Sequence, residues 1–549
     1  MVRNSCLKKL FRSSKQISFW SLVTLLCGLL LIGPFVSMFY LATGNSEGLW
    51  IHLIQTVFPR YVINTLLLMG GVGILSLLFG LSTAWVIARL HFYGDRFFEW
   101  VLLLPATVPS YLIAYTYTDL LEYAGPIQGF LRKIFGWNSA ADYWFPEIRS
   151  MGGAIIVMAA VLYPYIYLMA RTAFRLTPVS YYEVSRVHNR NFSFAVDLPL
   201  ARPAIFAGLA LVLMEVVSDF GTVEFFAVET LTLGIFNVWL GMNNLTAAVQ
   251  IAGIAFIFIL GLLYIERKAR SRQRFTDTTQ RNNSIAKKHV DGWTCILPIL
   301  ICCLPVILGF IIPVTILINF VLKGLSVAEI NLLTSSAINS LLLALSAAVC
   351  IMVLSTIMVI VVTYKKHPFL KLLSAISATG YAFPGVVLAI GVVSFSGSID
   401  AITQWIAFNF FGIDFSGILL GSIVLLIFAY IVRFQAIGYG AITSGVNRLS
   451  PNVMNASFLL GRGFSNSLVF LVPNLLRKSI LAGGLLVFVD VMKELPMTLL
   501  LRPFNFETLS TYVYQFANNE LLEEAALAAL IIIIAGLGPV ILMNSSQGR

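Results

Sequence analysis

Six ionisable side chains fall inside stretches otherwise too apolar to carry charge: Glu215, Asp219 and Glu224 in one, Asp490, Lys493 and Glu494 in another. A charge at bilayer depth is costly unless it is paired or faces water, so each marks a position with a purpose. Glu215 with Asp219, and Asp490 with Glu494, are spaced i,i+4, which would set two carboxylates on one face of a helix. Four such carboxylates form an oxygen donor set suited to a hard cation. The competing reading is helix packing, with Lys493 neutralising Asp490 or Glu494, whereas Glu215 and Asp219 have no cation nearby in sequence. Asp119 and Glu122 precede the turn at Tyr123–Pro126, either as contacts for an arriving cation or as a solvated helix end.

Other chemistries lack their residues. His52, His91, His188, His289 and His367 are scattered, with no i,i+4 pair, and receive no role. The cysteines at 6, 27, 295, 302, 303 and 350 show neither metal-knuckle spacing nor a disulfide framework. No G-x-x-x-x-G-K-[ST] loop occurs, and the dipeptide Gly-Lys is absent, so the chain has no usual cradle for ATP phosphates. No catalytic residue and no cofactor is assigned.

The elements that must position these charges follow from composition. Of 549 residues, 58% are hydrophobic and 11% charged, and mean hydropathy is +0.88. Soluble domains average about 25% charge, so ordinary globular domains are excluded. A spanning helix needs roughly 20 apolar residues. Such runs lie near 18–43, 62–88, 100–121, 151–173, 203–228 and 245–265. A second set lies near 293–322, 337–363, 372–397, 415–438, 479–501 and 525–543. The expected class is an all-α polytopic membrane protein with about 12 transmembrane helices. Arg3, Lys8, Lys9, Arg12 and Lys15 precede the first run, which is too long for a signal-peptide core and is read as a retained helix.

Positive charge orients the spans. With the N-terminus inside, the outer loops hold Arg60, Arg132, Lys133, Arg149, Lys323 and Arg502, and Lys493 lies in a span. The rest of the 36 Lys and Arg, Arg433 among them, go to inner segments, which places both termini in the cytoplasm. The net charge of +11 is therefore a topology signal, and nucleic acid is excluded as a partner.

The halves resemble each other at an offset of 275 residues. Asn64-Thr65-Leu66-Leu67-Leu68 returns as Asn339-Ser340-Leu341-Leu342-Leu343, Pro109 falls on Pro384, and Glu215 and Asp219 fall on Asp490 and Glu494. The expected organisation is a cytoplasmic segment 1–17, a first transmembrane domain 18–265, a cytoplasmic linker 266–292 and a second transmembrane domain 293–549. Six spans per half make the repeats parallel, with a pathway at their interface, as in a transporter.

Both long inner loops carry a helix-start signal, Thr177-Pro178 and Ser450-Pro451, and end at a proline, Pro199 and Pro473. The first reads E-V-S-R-V-H-N from Glu183 to Asn189, the second N-A-S-F-L-L-G from Asn455 to Gly461. Here the chain resembles the permease subunits of ATP-binding-cassette importers, whose loop follows E-A-A-x-x-x-G and then L-P and seats on the ATPase. The resemblance places Glu183, Val184, Ser185 and Asn189, and Asn455, Ala456, Ser457 and Gly461, in that coupling role. Asn189 stands for the glycine and Asn455 for the acid, and both loops are shorter than the pattern.

YAGP at 123–126, DYWFPEIRS at 142–150, LYPY at 162–165, LPLARPAI at 198–205, DFGTVEFFAV at 219–228 and DVMKELPMTLLLRPFNF at 490–506 narrow the family. They resemble fused permeases of bacterial ferric-iron importers. That resemblance implies the type I importer permease fold in the inner membrane, a periplasmic ferric-binding protein, Fe(III) as cargo, and two copies of a separate ATPase. It would make Glu215, Asp219, Asp490 and Glu494 a translocation path. Alternatives are a fused permease for thiamine, a phosphonate or another small solute, and a 12-span secondary transporter.

Overall fold

The computed structural model describes residues 19–177, 181, 196–271, 287–324, 329–414, 417–450 and 452–547. Among them the chain is helical nearly throughout, and the sheet structure is a parallel pairing of Leu90–His91 with Lys288–His289. Among the described residues, nine helices are long and apolar enough to cross a membrane, or ten if one bent pair counts as a span. The protein is an all-α multi-pass membrane protein. Two of the twelve expected spans are helical but stand outside that count. Leu245–Ser271 is apolar over Leu245–Gly261, and Val472–Met492 carries Arg477, Lys478 and Asp490.

The expected run 100–121 is broken rather than straight. Helix Asp95–Val101 passes through a tight turn at Leu104–Thr107 into helix Ser110–Leu121, and the two arms bend by 90°. Pro105 and Pro109 lack an N–H for the helical ladder, and Pro109 is extended at ψ 141°. The run 372–397 is broken the same way. Helix Pro368–Ser377 and the turn Gly380–Ala382 lead to Pro384 at ψ 142° and then helix Gly385–Phe411.

The described chain divides into two compact units that differ from the two sequence halves. One comprises 1–45 with 331–511, the other 46–330 with 512–549. In the first unit, helix Phe19–Ala42 lies against the elements after 368: Phe35 packs on Phe383, and Ser37 and Ser394 share a 2.6 Å hydrogen bond. Trp20 Nε1 donates to Ser465 Oγ at 2.8 Å. In the second unit, Gly309 of the run Gly292–Gly324 abuts the Ala160 carbonyl, and Tyr117 donates to the Leu308 carbonyl at 2.8 Å. The opening helix of each sequence half thus packs in the unit built mainly from the other half.

Within each unit the repeat is legible in hydrogen bonds. Asn64 Nδ2 donates to the Glu229 carbonyl and Asn339 Nδ2 to the Glu507 carbonyl, both at 3.0 Å. Thr65 Oγ1 accepts the Leu231 amide at 2.9 Å, and Ser340 Oγ accepts the Leu509 amide at 2.7 Å. The matched sequence positions hold matched backbone positions.

Candidate functional site

Helix Leu198–Ser218 carries Glu215, half-buried, and stops there because Asp219 turns extended at ψ 133°. The cause is local competition for the backbone. The Asp219 carboxylate accepts the amides of Thr222 at 2.9 Å and Val223 at 3.3 Å, and the Thr222 hydroxyl at 3.0 Å. It so caps the short helix Gly221–Phe225, and Ser110, first residue of its own helix, donates to it at 2.5 Å. The expectation that Glu215 and Asp219 share one face of a continuous helix is therefore corrected. Glu224, on the short helix, accepts from the Tyr514 hydroxyl at 2.6 Å.

The second repeat breaks at the equivalent place. Helix Val472–Met492 ends two residues before Glu494, and Pro496, without an N–H, opens helix Pro496–Leu501. Glu494 Oε1 accepts the Met497 amide at 3.3 Å, three residues on, as Asp219 accepts that of Thr222. Its carbonyl accepts the hydroxyls of Thr498 and Ser510, both at 2.8 Å. Asp490 remains on the longer helix and pairs with Lys493 at 2.9 Å. Asp490 and Glu494, like the first pair, do not lie on one unbroken helix.

Sequence reasoning missed the cation beside Glu494. Arg433, counted with an inner loop, sits midway along helix Ile423–Asn447, 7% exposed, with Nε 3.5 Å from Glu494 Oε2. A lone arginine inside an apolar run was the available signal. Its Nη1 occupies the space where a Cβ on Gly385 would sit, a point 2.9 Å from Glu494 Oε1. Tyr514, the partner of Glu224, comes from a distant helix and had no signal. Among the described residues, no three His, Cys, Asp or Glu side chains gather closely enough to hold a metal ion.

Of the loop residues, Glu183, Val184, Ser185 and Asn189 lie outside the described residues. Pro199 opens helix Leu198–Ser218. Just before it, Asp197, 1% exposed, receives Arg89 Nη2 at 2.7 Å, Arg89 Nε at 3.2 Å and Trp85 Nε1 at 3.1 Å. Arg89 Nη2 also donates to the Phe174 carbonyl at 2.7 Å, so three helix ends meet at the root of this loop. In the other loop, Asn455, Ala456 and Ser457 lie on helix Val453–Leu459. Gly461 follows at φ +80°, a conformation that favours glycine, with the Arg462 amide bonded back to the Ser457 carbonyl. Ser457 and Ser467 share a 2.8 Å hydrogen bond, while Leu459 and Leu460 are exposed. Pro473 lies in the first turn of helix Val472–Met492. Thr177 donates back to the Ala173 carbonyl, with the residues it would cap outside the described ones, and Ser450 accepts the Asn452 amide two residues on, as a capping hydroxyl does.

The segment 122–149 encloses a cavity of about 660 Å³ lined by Glu122, Tyr123, Tyr143, Trp144, Glu147 and Arg149 among others. Arg149 pairs with Glu122 at 2.6 Å, and the Phe135, Trp137 and Tyr143 rings stack in series.

Residues 76–265 match the family described as binding-protein-dependent transport system inner membrane component. Over 542 residues the chain is 24% identical to the Fe(3+)-transport system permease protein FbpB 2 of Haemophilus influenzae, covering 96% of this chain and 98% of the relative. A permease protein named for 2-aminoethylphosphonate transport in Salmonella choleraesuis is 27% identical over 39% of this chain and 76% of its own. The molybdenum transport system permease protein ModB of Haemophilus influenzae is 27% identical over 27% of this chain and 62% of its own.

Proposed function

We propose, from the premise that residues 76–265 are an inner-membrane-component domain of binding-protein-dependent transport systems, that the chain is the permease of an ATP-driven ferric-iron importer. The observation that carries this reading is similarity along 96% of the chain to a fused ferric permease. The phosphonate- and molybdenum-named relatives match shorter portions. A periplasmic binding protein delivers Fe(III) to the outer side. Two copies of a separate ATPase drive closure, since the chain has no phosphate loop of its own.

In this reading both termini are cytoplasmic, in keeping with the lysine and arginine distribution. The domains 18–265 and 293–549, joined by the linker 266–292, form the path. The loops near 177–199 and 450–473 are the ATPase contacts, and exposed Leu459 and Leu460 supply apolar area for one of them. The permease makes and breaks no covalent bond. Its carboxylates Glu215, Asp219, Asp490 and Glu494 offer hard oxygen donors to a hard cation; Asp490 and Glu494 are paired with Lys493 and Arg433, whereas the described donors to Asp219 are uncharged.

The test is uptake of radioactive iron into vesicles holding the permease, ATPase and binding protein, with vanadate as inhibitor. Vanadate-sensitive uptake, abolished by Glu215→Gln with Asp219→Asn, is expected. Accumulation by the permease alone on an ion gradient refutes the reading. Uptake of a phosphonate but not iron transfers it to another cargo.

A further inference from the structure

The two helix breaks use one backbone device with different electrostatics. At each, a carboxylate accepts the amide three residues ahead, Thr222 for Asp219 and Met497 for Glu494. At each, a helix opens beside it after a proline, with Ser110 in the first repeat and Gly385 at the equivalent position in the second. In the first repeat the Ser110 side chain fills the space next to the carboxylate and donates to it. In the second, glycine leaves that space to the Arg433 guanidinium. Arg433 is buried, and among the described residues its Nε and Nη1 have no hydrogen-bond acceptor of good geometry, so its counter-charge is Glu494.

We propose that Arg433 is a positioning residue that cancels the charge of Glu494 and clamps it as the cap of helix Pro496–Leu501, while Asp219, held among the described residues by neutral donors, is left to a passing cation. Among the described residues the donors to Asp219 are the hydroxyls of Ser110 and Thr222 and the amides of Thr222 and Val223. Glu224 close by has likewise a neutral donor, Tyr514. Around the second break, Asp490, Lys493, Glu494 and Arg433 sum to zero. Negative charge for a cation is thus concentrated in the first repeat, and Gly385 is glycine because a side chain there displaces the clamp. The Asp219 part rests on the cation-import reading; the clamp does not.

The experiment is a cycle of Arg433→Met, Glu494→Gln and the double variant, with Asp219→Asn alongside. It reads the melting temperature of the purified permease and the initial rate of radioactive iron uptake in vesicles with all components. Each single second-repeat variant should lower the melting temperature, because it leaves a buried charge without its counter-charge, and the double should recover most of the loss and at least half of the uptake rate. Gly385→Ala should lower the melting temperature in the unaltered chain and have little effect in the double variant. Asp219→Asn should cut uptake at least tenfold with little change in melting, since asparagine can still cap the short helix. A double variant no better than either single overturns the clamp. Normal uptake by Asp219→Asn overturns the division of labour. If the unaltered transporter moves no iron, the cargo reading and the role of Asp219 fall together, and the melting cycle still decides the clamp.

Discussion

Removing the charge of Asp197 should loosen the root of the first long loop by a measurable amount. Asp197 is 1% exposed and the Arg89 side chain 10%, so neither charge of the pair can turn to water without moving a helix end. Breaking a buried pair from one side costs about 3–5 kcal/mol. Asp197→Asn retains an acceptor for Trp85 and for one Arg89 nitrogen, and Arg89 keeps its bond to the Phe174 carbonyl, which puts the loss near the lower end, about 3 kcal/mol. The assay is reversible unfolding in mixed micelles of Asp197→Asn, Arg89→Gln and the double variant. Contacting charges should couple by about 1–3 kcal/mol, so the double variant should lose less than the sum of the singles. Because Pro199 and the entry to helix Leu198–Ser218 lie two residues on, ATP-dependent uptake should fall along with stability. A loss below about 0.5 kcal/mol for Asp197→Asn, with additive singles, would refute the claim that this pair holds the three helix ends together.

Gly380→Ala and Gly309→Ala should each destabilise by about 1–3 kcal/mol or more in the same assay, because the new Cβ meets the carbonyl of Val432 or Ala160, backbone that cannot swing away. Gly253→Ala, with nothing near its Cβ position, should be neutral or stabilising by up to about 1 kcal/mol. Tyr514→Phe should cost about 1–3 kcal/mol by stripping Glu224 of its phenol donor, with little further loss when Glu224→Gln is added. The Asp142 carboxyl is held below its ordinary range by the amides of Ser139 and Asn138. A lowered folded-state pKa means that the order it confers on the turn Ala140–Asp142 is complete above the ordinary carboxylate range and lost as pH falls through the folded value. The acid-side fluorescence change that depends on Trp137, stacked on Tyr143, should therefore vanish in Asp142→Ala.

The spans were legible because in a bilayer the length and continuity of apolar runs dominate every other signal. The breaks were less so. Pro105, Pro109, Pro384 and Pro496 announce three of them, but the break at Asp219 has no proline. Its signal was weaker, an aspartate placed to accept the amide of Thr222, the ordinary grammar of a helix start hidden inside an apolar run. The matched asparagines at 64 and 339 correctly marked a repeat, yet could not reveal that Phe19–Ala42 would pack against the far half, because sequence similarity carries no information about which apolar face meets which. Arg433 was visible as a residue and lost as a signal: counting it toward orientation removed it from the set of membrane-embedded charges that called for a partner. Gly461 was read for its role in a loop pattern, and its left-handed backbone supplies the physical reason for glycine there.

Capping a short helix does not require a charge. Asparagine, serine or threonine satisfies the same amide, and in an apolar surrounding a neutral cap avoids the cost of dehydrating an anion. A carboxylate at the break is therefore more than the backbone needs, in both repeats. In the second repeat the excess is removed by Arg433, at the further cost of burying a guanidinium and leaving no room for a side chain at residue 385. In the first repeat no described cation removes it, and hydroxyls and amides share the load instead. If the charge at Asp219 had no use, the cheapest sequence would carry asparagine there. Its presence beside Glu224, also served by a neutral donor, is the physical reason to look for a cation next to Asp219.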